Sequence, residues 1–176
     1  SFVGLNALVM RRYMHEYGWK HADFAPFSIN AHANAMHNPY ARLQQKINVE
    51  QFEKSAMVAT PINLLDASPT GDGAAAVVLV PAEKVASLNG KPRVIVAGSS
   101  SATDSIAVHS RKDPLFLSAA YTSAKRAYEM ANVGPKDIDV FELHDAFSIM
   151  SALSLEASGF AERGQGVRLA LDNEIG

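Results

Sequence analysis

Ile138-Asp-Val-Phe-Glu-Leu-His144-Asp145-Ala146-Phe147-Ser148 runs from an apolar, β-branched stretch straight into a helical pattern and carries a His-Asp pair across the junction. Residues 138–143 are interrupted only by Asp139 and Glu142, which predicts a short, largely buried strand. From Ala146 the apolar positions Phe147, Met150, Leu153, Leu155 and Ala157 recur at roughly helical spacing, and Gly159 supplies a stop after Ser158. Asp145 is then the expected N-cap, with Ser148 at the third helical position. A helix start presents free N–H groups and the positive end of the dipole. An imidazole beside it is well placed to bind water or a developing oxyanion. The plainer alternative is that His144 ends a strand and satisfies a backbone group.

Working back from this junction, Ala119, Ala120, Ala124, Ala127, Tyr128 and Ala131 predict a helix over 117–132, terminated by Gly134-Pro135. Arg93-Val-Ile-Val-Ala97 reads as a strand after the linker Asn89-Gly-Lys-Pro92, and residues 98–105 form a Ser-rich loop. Strand, helix, strand, helix is the pattern of an α/β layered sheet. Further upstream, Ser68-Pro-Thr-Gly-Asp-Gly73 is turn chemistry, and residues 74–80 are a small-to-β-branched run that predicts another strand. These glycines match neither the dinucleotide pattern nor a phosphate loop with its Lys. Residues 1–60 read as helical and irregular. Phe2, Leu5, Leu8, Val9 and Tyr13 predict an amphipathic helix ending near Gly18, and a second, short helix is expected over 49–55. Between them, residues 31–45 hold His32, Asn34, His37, Asn38 and Pro39.

Composition narrows the classes. A chain of 176 residues with 48% apolar content is long enough to bury one substantial core. No run approaches the ~18 apolar residues that span a bilayer, and the first residues lack the order of a signal peptide. A formal charge of −2 with scattered Lys and Arg gives no footprint for nucleic acid. There is no cysteine, hence no disulfide scaffold, and the default location is cytoplasmic. His15-Glu16 lacks the second His that a zinc-protease helix needs, and His32 and His37 are five apart, wrong for one helix face. No metal site is expected, and His109 reads as a solvated loop residue.

Residues 137–166 resemble the thiolase superfamily, in the sterol-carrier-protein-type and archaeal-type branch where His-Asp-Ala/Cys-Phe replaces the Asn-Glu-Ala-Phe of ordinary thiolases. Met10-Arg-Arg-Tyr-Met-His-Glu-Tyr-Gly18, with His32, Asn34 and Asn38-Pro-Tyr40, resembles the inserted loop domain of that branch. Leu64-Leu-Asp-Ala-Ser-Pro-Thr-Gly-Asp-Gly-Ala-Ala-Ala-Val-Val-Leu79 resembles the crossing from that loop into the last strand of the first core half. The resemblance implies part of a five-layer α-β-α-β-α sandwich with a helical, irregular loop domain. Residues 1–60 would be the loop-domain portion, 61–90 the end of the N-terminal half, and 91–176 the first part of the C-terminal half. For residues 31–45 it implies a cover over an acyl-CoA site and oligomer contacts, where the plain reading is a polar surface loop.

The implied chemistry is acyl transfer on coenzyme A thioesters, by Claisen condensation or thiolysis, with no covalently bound cofactor. His144 stands where the ordinary family's Asn holds an oxyanion-hole water, so it would donate to the thioester oxygen or orient that water. Phe147 would line the acyl or pantetheine pocket, and Ala67-Ser68 would contact the pantetheine arm. A tight turn before a core strand suffices to explain the neighbouring glycines. The resemblance also implies a homodimer or homotetramer and a zinc-ribbon/OB-fold partner protein. Two departures stand out. The family's nucleophile is a cysteine and this chain has none, and the Gly-His-Pro motif is absent. The expectation is therefore the middle portion of a longer protein, unable to catalyse alone, although a naturally short homologue stays open. So do two other functions: a lipid-transfer-like retro-aldolase acting on steroid side chains, and a non-catalytic thiolase-like subunit.

Overall fold

Helix α1 (Phe2–Tyr17) forms where apolar side chains repeat at helical spacing: Ala7, Met10 and Tyr13 are buried on one face while Leu5 and Leu8 stay exposed. It stops at Gly18, whose φ of 77° lies in the left-handed region, and the Gly18 amide closes the last turn on the Met14 carbonyl at 2.9 Å. The computed structural model describes residues 2–87 and 94–176. Helix α2 (Ala25–Ala35) follows a single 3-10 turn, His21–Phe24, and has Pro in its first turn. Sequence periodicity did not reveal it, because its Ala-, His- and Asn-rich face buries only Ala25, Phe27 and Ser28. The expected short helix is present as α3 (Val49–Lys54), started by a reciprocal cap. Asn48 Oδ1 accepts from the Gln51 amide and Gln51 Oε1 from the Asn48 amide, both at 2.9 Å. A small antiparallel hairpin, β1 (Met57–Ala59) and β2 (Ile62–Asn63), is the one sheet among the described residues.

The second half contributes α4 (Ser118–Ala131), α5 (Ser148–Ala157) and α6 (Gly166–Leu171). Helix α4 matches the expected span and ends at Asn132 in the left-handed region, before Gly134-Pro135. Helix α5 is the hub: eight of its ten residues are buried, and it packs against α1, α2, α4 and α6. Its Ile149 and Leu153 meet Met10, Tyr13, Phe24, Phe52, Ile62 and Val167 in one core. Helices α5 and α6 approach so closely that a Cβ on Gly166 would lie 2.3 Å from the Ala152 carbonyl oxygen. A clamp reinforces the contact: Glu156 accepts from Tyr13 Oη at 2.5 Å and from the Gly166 amide at 2.9 Å. No helix among the described residues is long and apolar enough to cross a membrane.

The expected strands over 74–80, 93–97 and 138–143 are not formed among the described residues; the linker 89–92 and Arg93 lie outside them. Val78 is 88% exposed, Val94 91% and Val140 85%, so the buried strand expected at 138–143 is corrected to a largely exposed segment. The reason is physical. β-branched residues favour a strand only when a neighbour supplies its ladder, and no described strand pairs with these three, although Phe141 rests its ring on Phe160. The layered α/β sheet expected from the order of elements is therefore absent from these residues. What they build is a helical assembly carrying a hairpin.

Candidate functional site

The site begins with Asn63. Its Oδ1 accepts from the amides of Leu65 at 3.0 Å and Asp66 at 3.1 Å, while its side-chain amide donates to the Phe52 carbonyl at 2.6 Å. The Asp66 carboxylate closes the box on the Asn63 amide at 2.9 Å. This winds residues Leu64–Asp66 into a 3-10 turn and delivers Ala67 in extended conformation. Ala67 then pairs antiparallel with Phe147, and the Ser68 amide donates to the Ala146 carbonyl at 3.1 Å. That pairing keeps Phe147 extended, so α5 starts at Ser148 with Phe147 as its N-cap and no side-chain cap. Asp145 is thus not the N-cap expected from sequence, and Ser148 is the first helical residue and not the third.

Between α2, the 41–45 loop, the 64–69 turn and the start of α5 lies a pocket of about 550 Å³. Ala67, Ser68 and Pro69 form one wall and Asp145, Ser148 and Ser151 another, with Phe27 and Ala31 as apolar floor and His32, Arg42 and Gln45 on the loop side. His32 Nδ1 is bound to the Gln45 carbonyl at 2.8 Å, and the Arg42 guanidinium donates to the Thr70 carbonyl. The lining thus mixes small and apolar side chains with serine hydroxyls, two carboxylates and one guanidinium. A second hollow of about 620 Å³ sits at the other end of α5, between Tyr128, Asn132, Gly134 and Gly159, and none of Ala67, Ser68, His144 and Phe147 lines it.

The expected site residues divide. Ala67 and Ser68 line the pocket. Phe147 does not: it is buried in the core, its ring centroid 5.4 Å from that of Phe2. His144 is exposed immediately before Asp145 of the pocket wall and has no hydrogen-bond partner among the described residues. Sequence reasoning overlooked Asp66 as a structural centre and His21 altogether. Asp66 Oδ2 meets His21 Nε2 at 2.6 Å and Oδ1 accepts from the Ser148 hydroxyl. The Asn63-x-x-Asp66 spacing was a readable capping-box signal; His21, 45 residues away, carried none. The order of the three groups rules out a hydrolytic triad, since the carboxylate stands between imidazole and hydroxyl and no hydrogen bond lets His21 activate Ser148.

Comparison with known proteins bears on this arrangement. Residues 100–176 match the family model described as thiolase C-terminal domain-like. The chain is 44% identical over 168 residues to the acetyl-CoA acetyltransferase of Methanothermobacter thermautotrophicus, covering 96% of this chain and 44% of that protein. It is 39% identical over 176 residues to the acetyl-CoA acetyltransferase of Methanocaldococcus jannaschii, covering 99% of this chain and 45% of that one. Sterol carrier protein 2 of Rattus norvegicus is 33% identical over 161 residues, 89% of this chain and 29% of the relative. A solved structure titled Ltp2-ChsH2(DUF35) aldolase superposes with a TM-score of 0.84 at 24% identity, over 96% of this chain and 45% of that one, which shows a shared fold. The chain belongs to the thiolase superfamily, in the branch that holds the archaeal acetyl-CoA acetyltransferases and sterol carrier protein 2. It spans less than half the length of these curated relatives.

Proposed function

We propose that this chain is the part of an acyl-CoA C-acyltransferase that holds the coenzyme A thioester, and that the pocket beside Ala67-Ser68 takes the pantetheine arm. The observation that carries the proposal is the pocket itself: a wall of small residues, Ala67 and Ser68, hydrogen-bonded to the segment that enters α5. Its support from relatives is the 44% and 39% identity to two acetyl-CoA acetyltransferases. In the condensing direction a thiolate displaces CoA from one thioester. The acyl group then passes to the α-carbon of acetyl-CoA, which gives up a proton; thiolysis runs the same steps backwards. This chain has no cysteine, so on this reading the thiolate comes from outside its 176 residues. His144, exposed four residues ahead of α5, would supply a donor for the thioester oxygen as charge develops there. Phe147 would act from the core, as support for the wall.

On the same reading, residues 1–60 are the loop-domain portion, 61–90 the end of the N-terminal half and 91–176 the first part of the C-terminal half. The segments 74–80, 94–97 and 138–143 become strands of the five-layer sandwich when partner strands lie beside them. We take the protein to be cytoplasmic and a homodimer or homotetramer. A zinc-ribbon/OB-fold partner is in keeping with a fold relative whose title names a second component.

The test is thiolysis of acetoacetyl-CoA by the protein that carries this chain, purified at its native length. Formation of acetyl-CoA from acetoacetyl-CoA and free CoA is the expected result. No thiolysis together with cleavage of a steroid side-chain β-hydroxyacyl-CoA would replace the reading with a retro-aldolase. A native mass equal to that of this chain, 18.9 kDa, with no turnover would replace it with a non-catalytic subunit.

A further inference from the structure

Asp66 is the one charged residue buried among the described residues, its side chain fully shielded. A carboxylate taken out of water is costly unless every oxygen finds donors. Here it accepts three times: from the Asn63 amide and His21 Nε2 on Oδ2, and from the Ser148 hydroxyl on Oδ1. An ionised carboxylate accepts only, so the imidazole presents its Nε2–H. His21 is held from the other side by stacking on Phe52, centroids 4.9 Å apart and rings 22° from parallel. The chain His21–Asp66–Ser148 thereby ties three remote segments together: the turn between α1 and α2, the turn ahead of Ala67-Ser68, and the first residue of α5. Asp66 and Ser148 themselves line the pocket.

We propose that His21 and Asp66 are positioning residues for this pocket, fixing the separation between the 67–68 wall and the first turn of α5 and so the width of the slot. What enters the slot, a pantetheine-like arm, rests on the function proposed above. The relay itself does not. Phe147 lacks a capping side chain, so the register of α5 against the wall depends on the Ala67–Phe147 pairing and on the grip of Asp66 on Ser148. Loosening His21 frees Asp66 to turn away from Ser148, and both pocket walls lose a common anchor.

The experiment is amide hydrogen exchange on the full protein, read at Ser68, Met150 and Ser151, whose amides make the hydrogen bonds of the wall and of the first turn. His21→Phe keeps a ring to stack on Phe52 and removes the donor. Exchange at those three amides is expected to rise about tenfold while α1 and α4 are unchanged, and His21→Gln, which restores an N–H, should return it to within about twofold. Ser148→Ala, losing only a hydroxyl, should give the same local signature if the ring variant is poorly folded. Unchanged exchange at the three amides, or a uniform rise across α1, α4 and α5, would overturn the proposal. Calorimetry with free CoA separates the two readings. Wild-type binding weakened about tenfold by His21→Phe supports both. A local exchange effect in a protein that does not bind CoA keeps the relay and rejects the ligand.

Discussion

At the scale of single residues, the buried hydroxyl of Tyr13 is the clearest lever on stability. Burial, and next the hydrogen bond and negative charge of Glu156, push its ionisation well above the ordinary tyrosine range. The sign follows from linkage. A pKa raised in the folded state gives stability that is complete below the unfolded value of about 10 and declines as pH rises above it. Thermal midpoints between pH 9 and 11.5 should therefore fall more steeply for wild type than for Tyr13→Phe. That variant should itself be less stable by about 1–2 kcal/mol at pH 7, because Glu156 keeps only the Gly166 amide. His144 belongs to the opposite class. It is exposed and unbonded among the described residues, so His144→Ala should leave the melting temperature within a degree or so. In the full protein the same substitution should lower kcat for thiolysis about a hundredfold; an unchanged kcat would remove it from the reaction. The sequence pointed at His144 through its neighbours, yet gave no sign that His21 and Asp66 meet, because that contact depends on how two turns are folded together.

At the scale of elements, legibility followed locality. Helices α1, α3 and α4 were readable because their periodicity, their caps and their stop signals all lie within a few residues of each other, as the Asn48–Gln51 box and the left-handed Gly18 illustrate. Helix α2 escaped because Ala, His and Asn write no apolar stripe, and only Pro26 marked its start. The entry to α5 was misread by a few residues for a non-local reason: pairing of Phe147 with Ala67 holds the chain extended beyond Asp145. The α5–α6 contact yields its own prediction. Gly166→Ala places a methyl against the Ala152 carbonyl, a backbone atom that cannot swing aside, so the helices must separate. A loss of about 1–3 kcal/mol in denaturant midpoint analysis is expected, with the slope unchanged.

At the scale of the molecule, the described residues combine a well-packed helical core with three β-branched segments that stand in water. Val77, Val78, Val94, Ile95 and Val140 have the composition of strand interiors and the exposure of loop tips. The chain taken alone should therefore bind a hydrophobic dye such as ANS and lose solubility as concentration rises. The pair Val78→Lys and Ile95→Lys should lower both effects without shifting the melting temperature, since neither side chain is packed. A dye response equal to that of a fully covered protein of this size would contradict the exposure. The sequence told what these segments are built for; only the neighbours that make a ladder could tell whether they become strands.

The bond between Asp66 and Ser148 joins residues 82 positions apart. Contacts of such separation form late, because the intervening chain must first give up its freedom before they return anything. The pocket should thus be among the last features to assemble as the chain folds. Substitutions in the 67–68 wall or at Ser148 should then hasten unfolding while leaving the folding rate nearly untouched.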